Sequence, residues 1–244
     1  MGRREERGRP RGADPRARRP RAPPEARRPE AAPRPRREAL SAAIVERIVL
    51  AAGGSWAEAA ARAAAVLDQD GIAVLPAEGV YGFHVRPDRP RALERLRALK
   101  PRSMDRGWIG LIAEPGSLAR YAATVSAPAQ SLAREHWPGA LTMIVPASPL
   151  VPESLRASDG TAALRCPGSE LLREVARACG GLLLSTSANE PGSRAPARAE
   201  DVGLADVDLL IDQGPLSGEP STIVRTDGEI IRVIRPGSVR IEEV

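Results

Sequence analysis

The stretch that most constrains the fold is Leu182–Leu184, an apolar run that leads directly into the small polar residues Ser185–Asn189. Pro191-Gly192 then ends the segment. An apolar run of this length, bounded by a turn signal, is typical of a buried strand. Ligands of open α/β sheets bind where such strands end. We therefore predict an α/β sheet whose binding site includes the residues that follow this strand.

Two residue types are almost absent from the chain, and each is kept at one position. Asn189 is the only Asn among 244 residues, and Lys100 is the only Lys beside 35 Arg. Since the chain otherwise avoids Asn and Lys, the two positions that keep them favour a chemical role for these side chains. The alternative is structural, with Asn189 capping a turn and Lys100 ending a helix.

Residues 1–38 differ from the rest of the chain in composition. They carry 14 Arg against six acidic residues, with eight Pro and no aromatic or β-branched residue. Such a segment buries too little apolar surface to fold, so we predict a disordered, Arg/Pro-rich basic tail. Its net charge of +8 leaves −3 for the remainder of a chain whose formal net charge is +5. The tail is a candidate for RNA contact through phosphates, or it results from a start site assigned too far upstream.

The remaining chain is predicted to form one folded domain over residues 55–244, after a linker or marginal helix at 39–54. It contains no window of 18 apolar residues, so no membrane span is expected. Cys166 and Cys179 form no Cys-x-x-Cys motif, and His84 and His136 join them in no metal-ligand spacing. We interpret the thiols as core residues of a cytoplasmic protein and predict no metal site formed by the chain.

Hydrophobic periodicity predicts both helices and strands. Ser55–Glu58 fits a capping box for an Ala-rich helix, and Leu93, Leu96 and Leu99 lie on one face of another. The predicted helices are 55–69, 91–99, 117–123, 128–136 and 170–179, and the predicted strands are 72–75, 108–113, 141–145, 161–164, 182–184, 207–211, 223–224 and 230–234. Residues 76–82 are predicted to form a loop. Because helices and strands do not alternate strictly, we expect a mixed, twisted sheet flanked by helices in a single domain.

Cationic and hydroxyl side chains recur at the predicted strand ends. Fixed cations beside hydroxyls suit a polyphosphate, because Arg offers bidentate donors and Lys a point charge. No Gly-x-x-x-x-Gly-Lys-Ser/Thr or Gly-x-Gly-x-x-Gly motif is present, so an ordinary nucleotide-binding fold is not indicated. A Ser-His-Asp hydrolase is disfavoured, because neither His lies in a Gly-x-Ser-x-Gly setting. The strand-end groups are Lys100, Arg102, Arg106, Thr161, Arg165, Ser185, Ser187, Asn189, Ser221 and Arg235.

Seven short motifs follow one another along the chain. Their shared order identifies a protein family more specifically than any single motif does. They are Pro76-Ala77-Glu78-Gly79-Val80-Tyr81-Gly82, Lys100-Pro101-Arg102, Trp137-Pro138-Gly139-Ala140-Leu141-Thr142, Ala163-Leu164-Arg165-Cys166-Pro167, Ser185-Thr186-Ser187-Ala188-Asn189, Pro220-Ser221-Thr222 and Ile234-Arg235-Pro236-Gly237. In this order they resemble the YrdC family of bacterial threonylcarbamoyl-AMP synthases, over about residues 55–240.

The resemblance implies a concave α/β sheet whose cavity binds ATP and L-threonine, with 55–244 as the catalytic domain. Bicarbonate or CO2 would carbamoylate the threonine amine, and the carbamate would attack the α-phosphorus of ATP and release pyrophosphate. A tRNA-modifying transferase would then move the threonylcarbamoyl group to an adenosine of tRNA. Mg²⁺ would share in neutralising the phosphates, with phosphate oxygens and water as its main ligands.

Site residues follow from the same resemblance, position by position. Lys100 and Arg102 would be catalytic through charge neutralisation and positioning. The amino-acid side would use Arg165 for the threonine carboxylate, assisted by Ser185 and Ser221, with Ala77 at a position that faces the substrate. The ATP side would consist of Lys100, Arg102, Arg106, Thr161, Ser187, Asn189 and Arg235.

Four departures from the family pattern fall on the amino-acid side or beside the Lys-x-Arg motif. Ala77 and Gly79 stand where the family usually has Thr, Ser103 where it has Pro, and Leu111 where some members have His. All the cations are kept, so nucleotide binding is the firmer expectation. Three alternatives stay open: a carbamoyl-adenylating paralogue with another acceptor, an RNA-binding module without catalysis, and a related protein that has lost activity.

Overall fold

The computed structural model describes residues 45–50, 56–100, 108–190, 193–203, 205–226 and 228–241. The predicted basic tail, the predicted nucleotide ligands Arg102 and Arg106, and Ser103 lie outside these ranges. Within them, one mixed sheet is flanked by helices, as the sequence predicts. The strands are β1 (Glu46–Val49), β2 (Ala73–Pro76), β3 (Tyr81–Val85), β4 (Ile109–Ile112), β5 (Leu141–Pro146), β6 (Thr161–Arg165), β7 (Leu182–Ser187), β8 (Leu209–Asp212), β9 (Thr222–Arg225) and β10 (Arg232–Arg235).

The sheet order is β1-β8-β2-β3-β7-β4-β6-β5-β9-β10. Four neighbouring pairs are parallel, namely β1/β8, β2/β8, β4/β6 and β5/β9. The other five are antiparallel. Strands distant in sequence therefore lie side by side at the centre, where β7 separates β3 from β4.

The helices are α1 (Trp56–Asp68), α2 (Pro90–Leu99), α3 (Leu118–Tyr121), α4 (Ala127–His136) and α5 (Glu170–Ala178). Their starts follow simple local chemistry: the Ser126 and Ser169 hydroxyls accept hydrogen bonds from the backbone N–H groups of Ala129 and Leu172. None of the helices in the described ranges is long and apolar enough to cross a bilayer.

Each face of the sheet has its own core. Helices α1 and α5 pack against each other and cover Leu75, Leu111, Leu183 and Leu209. The opposite face packs on α2 and α4 through side chains such as Phe83. On this first face, α1 contacts β2 and β8, and α5 contacts β4 and β7.

The structure corrects two sequence expectations. Residues 46–49 form β1, not a marginal helix or linker, because Ile48 packs into the α1/α5 core and Arg47 pairs with Asp212 at 2.6 Å. The predicted 76–82 loop is shorter than expected, because Tyr81 already begins β3. All five residues of β3 are buried, so its sequence lacks the alternation that marks a half-exposed strand.

Candidate active site

Strand register places several polar side chains on one face of the sheet. Ser185 on β7 lies opposite His84 on β3 and opposite Ile109 on β4, while Arg165 on β6 pairs with Leu111. Because residues that pair across a sheet share a face, His84, Ser185 and Arg165 lie on the face that α1 and α5 partly cover. The candidate site therefore occupies a sheet face as well as the strand ends that the sequence predicts.

Lys100, Ser187 and Asn189 form a cluster at the end of α2 and β7. The Lys100 Nζ donates to Ser187 O at 3.0 Å, Asn189 O at 2.6 Å and Asn189 Oδ1 at 3.0 Å. The Ser187 hydroxyl also donates to Asn189 Oδ1, at 2.5 Å. The chain's single Lys and single Asn are thus in direct contact. Burial lowers the pKa of Lys100, which is 5% exposed.

Asn189 uses its other side-chain atom to hold the loop that follows it. Its Nδ2 donates to Glu190 O at 3.1 Å and to Ser193 O at 2.5 Å. Each half of the amide is therefore engaged, and the Asn189 side chain links α2, the end of β7 and the residues after it. The geometry explains why an amide, with donors and acceptor in one planar group, is kept at this position.

The buried Arg165 and the partly exposed Glu78 form an ion pair beside this face. The Arg165 Nη1 lies 3.1 Å from Glu78 Oε2, and Glu78 Oε1 accepts from the Gly168 backbone N–H at 2.5 Å. Arg165 Nε is buried and has no hydrogen-bond partner among the described residues. A buried donor without an acceptor is unfavourable. Arg165 Nε can therefore donate to a further anionic group, such as a carboxylate.

Arg235, at the end of the edge strand β10, lies close enough to Arg165 to be affected by its charge. Its Nη2 donates to Ser221 O at 2.6 Å and contacts Ser221 Oγ at 3.2 Å, and Ser221 Oγ lies 2.9 Å from Thr142 Oγ1. Burial lowers the pKa of Arg235, and the charge of Arg165 lowers it further. Across the described part of the site, its Nε is also buried without a partner. Two guanidinium groups and the single Glu78 carboxylate thus lie in this area, which gives it a net positive charge suited to an anionic ligand.

The Ala77–Val80 turn is held by the segment that precedes β9. Gly218 N donates to Gly79 O at 2.7 Å, and a Cβ at Gly79 would lie 1.7 Å from Glu219 O. A hydroxyl-bearing side chain at position 79 is therefore incompatible with this packing. Ala77 lines a cleft of about 320 Å³, whose other lining residues are Trp56, Glu78, Ser169, Glu170, Gln213 and Leu216.

Thr161 is the predicted ligand that the structure keeps apart from Arg165. It begins β6 and Arg165 ends it, so four residues and about 13 Å of strand separate them. Its hydroxyl donates to Asp159 Oδ1 at 2.7 Å, and Asp159 also pairs with Arg225. In the chain as described, no contact joins Thr161 to the Lys100 cluster.

Sequence reasoning missed three polar groups of the site: Glu78, Thr142 and His84. His84 is fully buried, and its Nε2 lies 3.2 Å from Ser185 Oγ. Burial and the charge of Arg165 lower the pKa of His84 to about 3, so the ring is neutral at neutral pH. The available signal was weak, because a His within an apolar strand is more often a core residue than a ligand.

Cys166 and Cys179 are free, buried thiols, as predicted, and burial raises the pKa of each to about 11. Both are therefore unreactive at neutral pH. Over the described ranges, no group of three or more His, Cys, Asp or Glu side chains is arranged to hold a metal ion.

Comparison with known proteins shows what this fold and these motifs resemble. Residues 65–237 match the Sua5/YciO/YrdC family model, which is described as telomere recombination. The threonylcarbamoyl-AMP synthase of Halorhodospira halophila is 39% identical over 137 residues, which cover 56% of this chain and 71% of that protein.

Solved structures agree. P. abyssi Sua5 complexed with L-threonine matches with a TM-score of 0.72 and 25% identity over 80% of this chain, which spans 58% of that Sua5 chain. E. coli YciO, at 23% identity, shares the fold with a TM-score of 0.71 over 79% of this chain and 95% of its own. The family match spans most of the described sheet. The predicted resemblance is confirmed, and the chain belongs to the Sua5/YciO/YrdC family.

Proposed function

We propose that this chain is an L-threonylcarbamoyladenylate synthase that uses L-threonine, bicarbonate or CO2, and ATP, and releases pyrophosphate. Its product would serve the threonylcarbamoyladenosine modification of tRNA. The observation that carries this proposal is the pair of guanidinium groups, Arg165 and Arg235, each with a buried Nε that lacks a hydrogen-bond partner among the described residues. They lie on the face that also presents Ser185, and the Lys100–Asn189 cluster lies where β7 ends.

The reaction begins at the threonine amine, whose nitrogen forms a bond to the carbon of CO2 and loses a proton to give a carbamate. A carbamate oxygen then bonds to the α-phosphorus of ATP, and the bond from that phosphorus to the pyrophosphate oxygen breaks. Arg165 would hold the threonine carboxylate beside Ser185 and Ser221. The protein's contribution is positioning and charge neutralisation, which is the usual protein contribution to such transfers.

The nucleotide side is assigned by the same reasoning. Lys100, Ser187, Asn189 and Arg235 would contact ATP, together with Arg102 and Arg106 from the sequence prediction. Thr161, which lies at the start of β6 and bonds to Asp159, is not assigned to ATP. Mg²⁺ is expected to accompany ATP, and the residues described here do not form a carboxylate cluster to hold it. Its ligands would be mainly phosphate oxygens and water, so no step is assigned to a protein-held metal.

The proposed partners follow from the product. A tRNA-modifying transferase would accept the threonylcarbamoyl-adenylate, and the basic tail at 1–38 remains a candidate for RNA contact. The cytoplasm is the proposed location, since that is where such a product would meet tRNA.

An RNA-binding module without catalysis is the less favoured alternative. Arg165 is 5% exposed, so its guanidinium offers little surface to the phosphates of a polynucleotide. A carbamoyl-adenylating enzyme with another acceptor is supported by Ala77 and Gly79, which supply no side-chain hydroxyl.

The direct test is to incubate the protein with ATP, labelled bicarbonate and each amino acid in turn, and to measure pyrophosphate and labelled adenylate. Threonine-dependent formation of both supports the proposal, and Arg165→Gln should abolish it while the exposed Arg134→Gln control should not. Product with a different amino acid supports the paralogue. No product with any amino acid contradicts synthase activity.

Ala77→Thr tests the acceptor assignment separately. A hydroxyl at this position should add about 0.5–1.5 kcal/mol of binding, or roughly threefold to tenfold in threonine half-saturation. Serine should compete better in the wild type than in the variant, because the wild-type loop offers no hydroxyl contact there. Unchanged half-saturation for threonine would mean that other groups recognise the substrate side chain.

A further inference from the structure

His84 is a buried polar side chain that the proposed chemistry does not use. It lies on β3 between Ala73 of β2 and Ser185 of β7, and it is 0% exposed. Its Nε2 lies 3.2 Å from Ser185 Oγ. Its Nδ1 is buried and makes no hydrogen bond of ordinary length and angle among the residues that the structure describes, although the Gly82 and Ala73 backbone interacts with the ring.

A purely structural role accounts poorly for this residue. The same sheet face is apolar at Leu75 and Leu183, where α1 and α5 cover it. A buried imidazole with a nitrogen that makes no ordinary hydrogen bond is less favourable than an apolar side chain of similar size. A role in the site gives a reason for keeping it.

The ring cannot act as a base or a counter-ion at neutral pH, because burial and the charge of Arg165 hold it in the neutral form. What it retains is hydrogen bonding. A neutral imidazole exchanges one hydrogen bond with the Ser185 hydroxyl in either tautomer. Because a Ser hydroxyl otherwise rotates freely, this bond fixes the directions in which Ser185 can donate and accept.

Ser185 occupies the middle of the site. Along β7 it lies two residues, about 7 Å, from Ser187 of the Lys100 cluster. Leu183 lies the same distance from Ser185 in the other direction. Leu183 pairs with Leu111 on β4, and Leu111 pairs in turn with Arg165 on β6. A hydroxyl fixed here lies between the nucleotide side and the side assigned to the amino acid.

We infer that His84 is a positioning residue for the amino-acid substrate, which it orients through the Ser185 hydroxyl. This inference rests on the proposed function. The His84–Ser185 hydrogen bond matters more for substrate recognition in this chain, because the Ala77–Val80 turn offers no side-chain hydroxyl. Packing at Gly79 also excludes a hydroxyl-bearing side chain there. Beside Arg165, polar recognition of the substrate then falls to Ser221 and to the His84–Ser185 pair.

The test compares His84→Leu, which fills the space without a hydrogen bond, with His84→Gln, which keeps a polar group near Ser185. Pyrophosphate release is measured while threonine and ATP are varied separately. We expect His84→Leu to raise the threonine KM roughly threefold to tenfold with little change in the ATP KM, and His84→Gln to recover part of this loss. His136→Gln, on α4 outside the site, is the matched control and should behave as wild type.

A second arm removes Ser185 itself. Ser185→Ala should raise the threonine KM similarly, and the His84→Leu/Ser185→Ala double variant should be little worse than Ser185→Ala alone, because both changes remove the same bond. Additive effects, equal loss for threonine and ATP, or an unchanged KM in His84→Leu would overturn the role of His84. If the wild type releases no pyrophosphate with any amino acid, the proposed function fails and this inference with it. If His84→Leu does not fold, the comparison of His84→Gln with Ser185→Ala decides.

Discussion

Replacement of Lys100 by Arg tests the nucleotide side of the site most sharply, because the change keeps the positive charge. In the wild type, one ammonium nitrogen reaches three oxygens of Ser187 and Asn189 at 2.6–3.0 Å. A guanidinium is planar, and its N–H groups diverge from a carbon atom instead of converging on one nitrogen. A guanidinium therefore cannot donate to all three oxygens that lie around the position of Lys100 Nζ.

The magnitude follows from that contact set. Hydrogen bonds to a charged group contribute about 1.5–3 kcal/mol each, and we expect Lys100→Arg to lose at least one of the three. A loss of about 1.5–3 kcal/mol corresponds to roughly tenfold to a hundredfold in an equilibrium or rate. Lys100→Met loses all three contacts and should cost about 1–3 kcal/mol of stability for each buried oxygen that is left unsatisfied.

The assay is pyrophosphate release at saturating amino acid with ATP varied, alongside melting temperatures. We expect Lys100→Arg to lower kcat/KM for ATP by that factor, since displacement of residues 187–189 also moves the groups assigned to the nucleotide. Arg91→Lys, the reverse exchange at an exposed position near the start of α2, is the control. Unchanged turnover and melting temperature in Lys100→Arg would show that the single lysine is an accident of composition and that the three contacts do not shape the site.

Three further predictions address the turn, the buried histidine and the tail. Gly79→Ala should lower the free energy of unfolding by about 1–3 kcal/mol, because its Cβ would lie 1.7 Å from Glu219 O, whereas Gly116→Ala, with no atom within 4 Å, should not; urea unfolding of both variants decides. His84 has a folded-state pKa of about 3 against an ordinary value of 6.5, so the unfolded chain binds the extra proton between these values. The free energy of unfolding should therefore fall by up to about 1.4 kcal/mol per pH unit as pH drops below 6.5, and equal slopes in wild type and His84→Gln would refute this. Deletion of residues 1–38 should leave melting temperature and ATP affinity nearly unchanged, while failure of the shortened chain to fold would show that the predicted boundary is wrong.

The sequence predicts the central strands well because their signals are local. The apolar run that ends in Ser185–Asn189 becomes β7, and the order of short motifs is sufficient to identify the family. Strands β1 and β3 were missed for different physical reasons. Glu46–Val49 is too short and too polar to stand out, and it becomes a strand only because β8 provides a partner. In β3, burial on both faces removes the alternation on which the prediction depends.

The composition of the site was partly predictable, but its arrangement was not. Lys100 and Asn189 stand out by rarity, and the structure places them in contact. His84 and Glu78 become site residues through pairings over long distances in sequence, with Ser185 and Arg165 respectively. Such pairings depend on which strands are neighbours and in which register, and a one-residue shift would turn His84 to the other face.

The two ends of the site differ in how far the protein already satisfies its own polar groups, and this difference has a consequence for binding. At the amino-acid end, Arg165 Nε has no partner among the described residues, so a carboxylate gains a charge-assisted bond there without breaking one. At the nucleotide end, Lys100 already donates to three oxygens of Ser187 and Asn189. A phosphate can approach that ammonium only by replacing one of those oxygens, so we expect ATP binding to shift residues 187–189. A carboxylate that binds Arg165 Nε displaces no existing hydrogen bond of that atom. The effect of Lys100→Arg should therefore appear in the ATP dependence first, because the substitution changes the contacts that nucleotide binding has to rearrange.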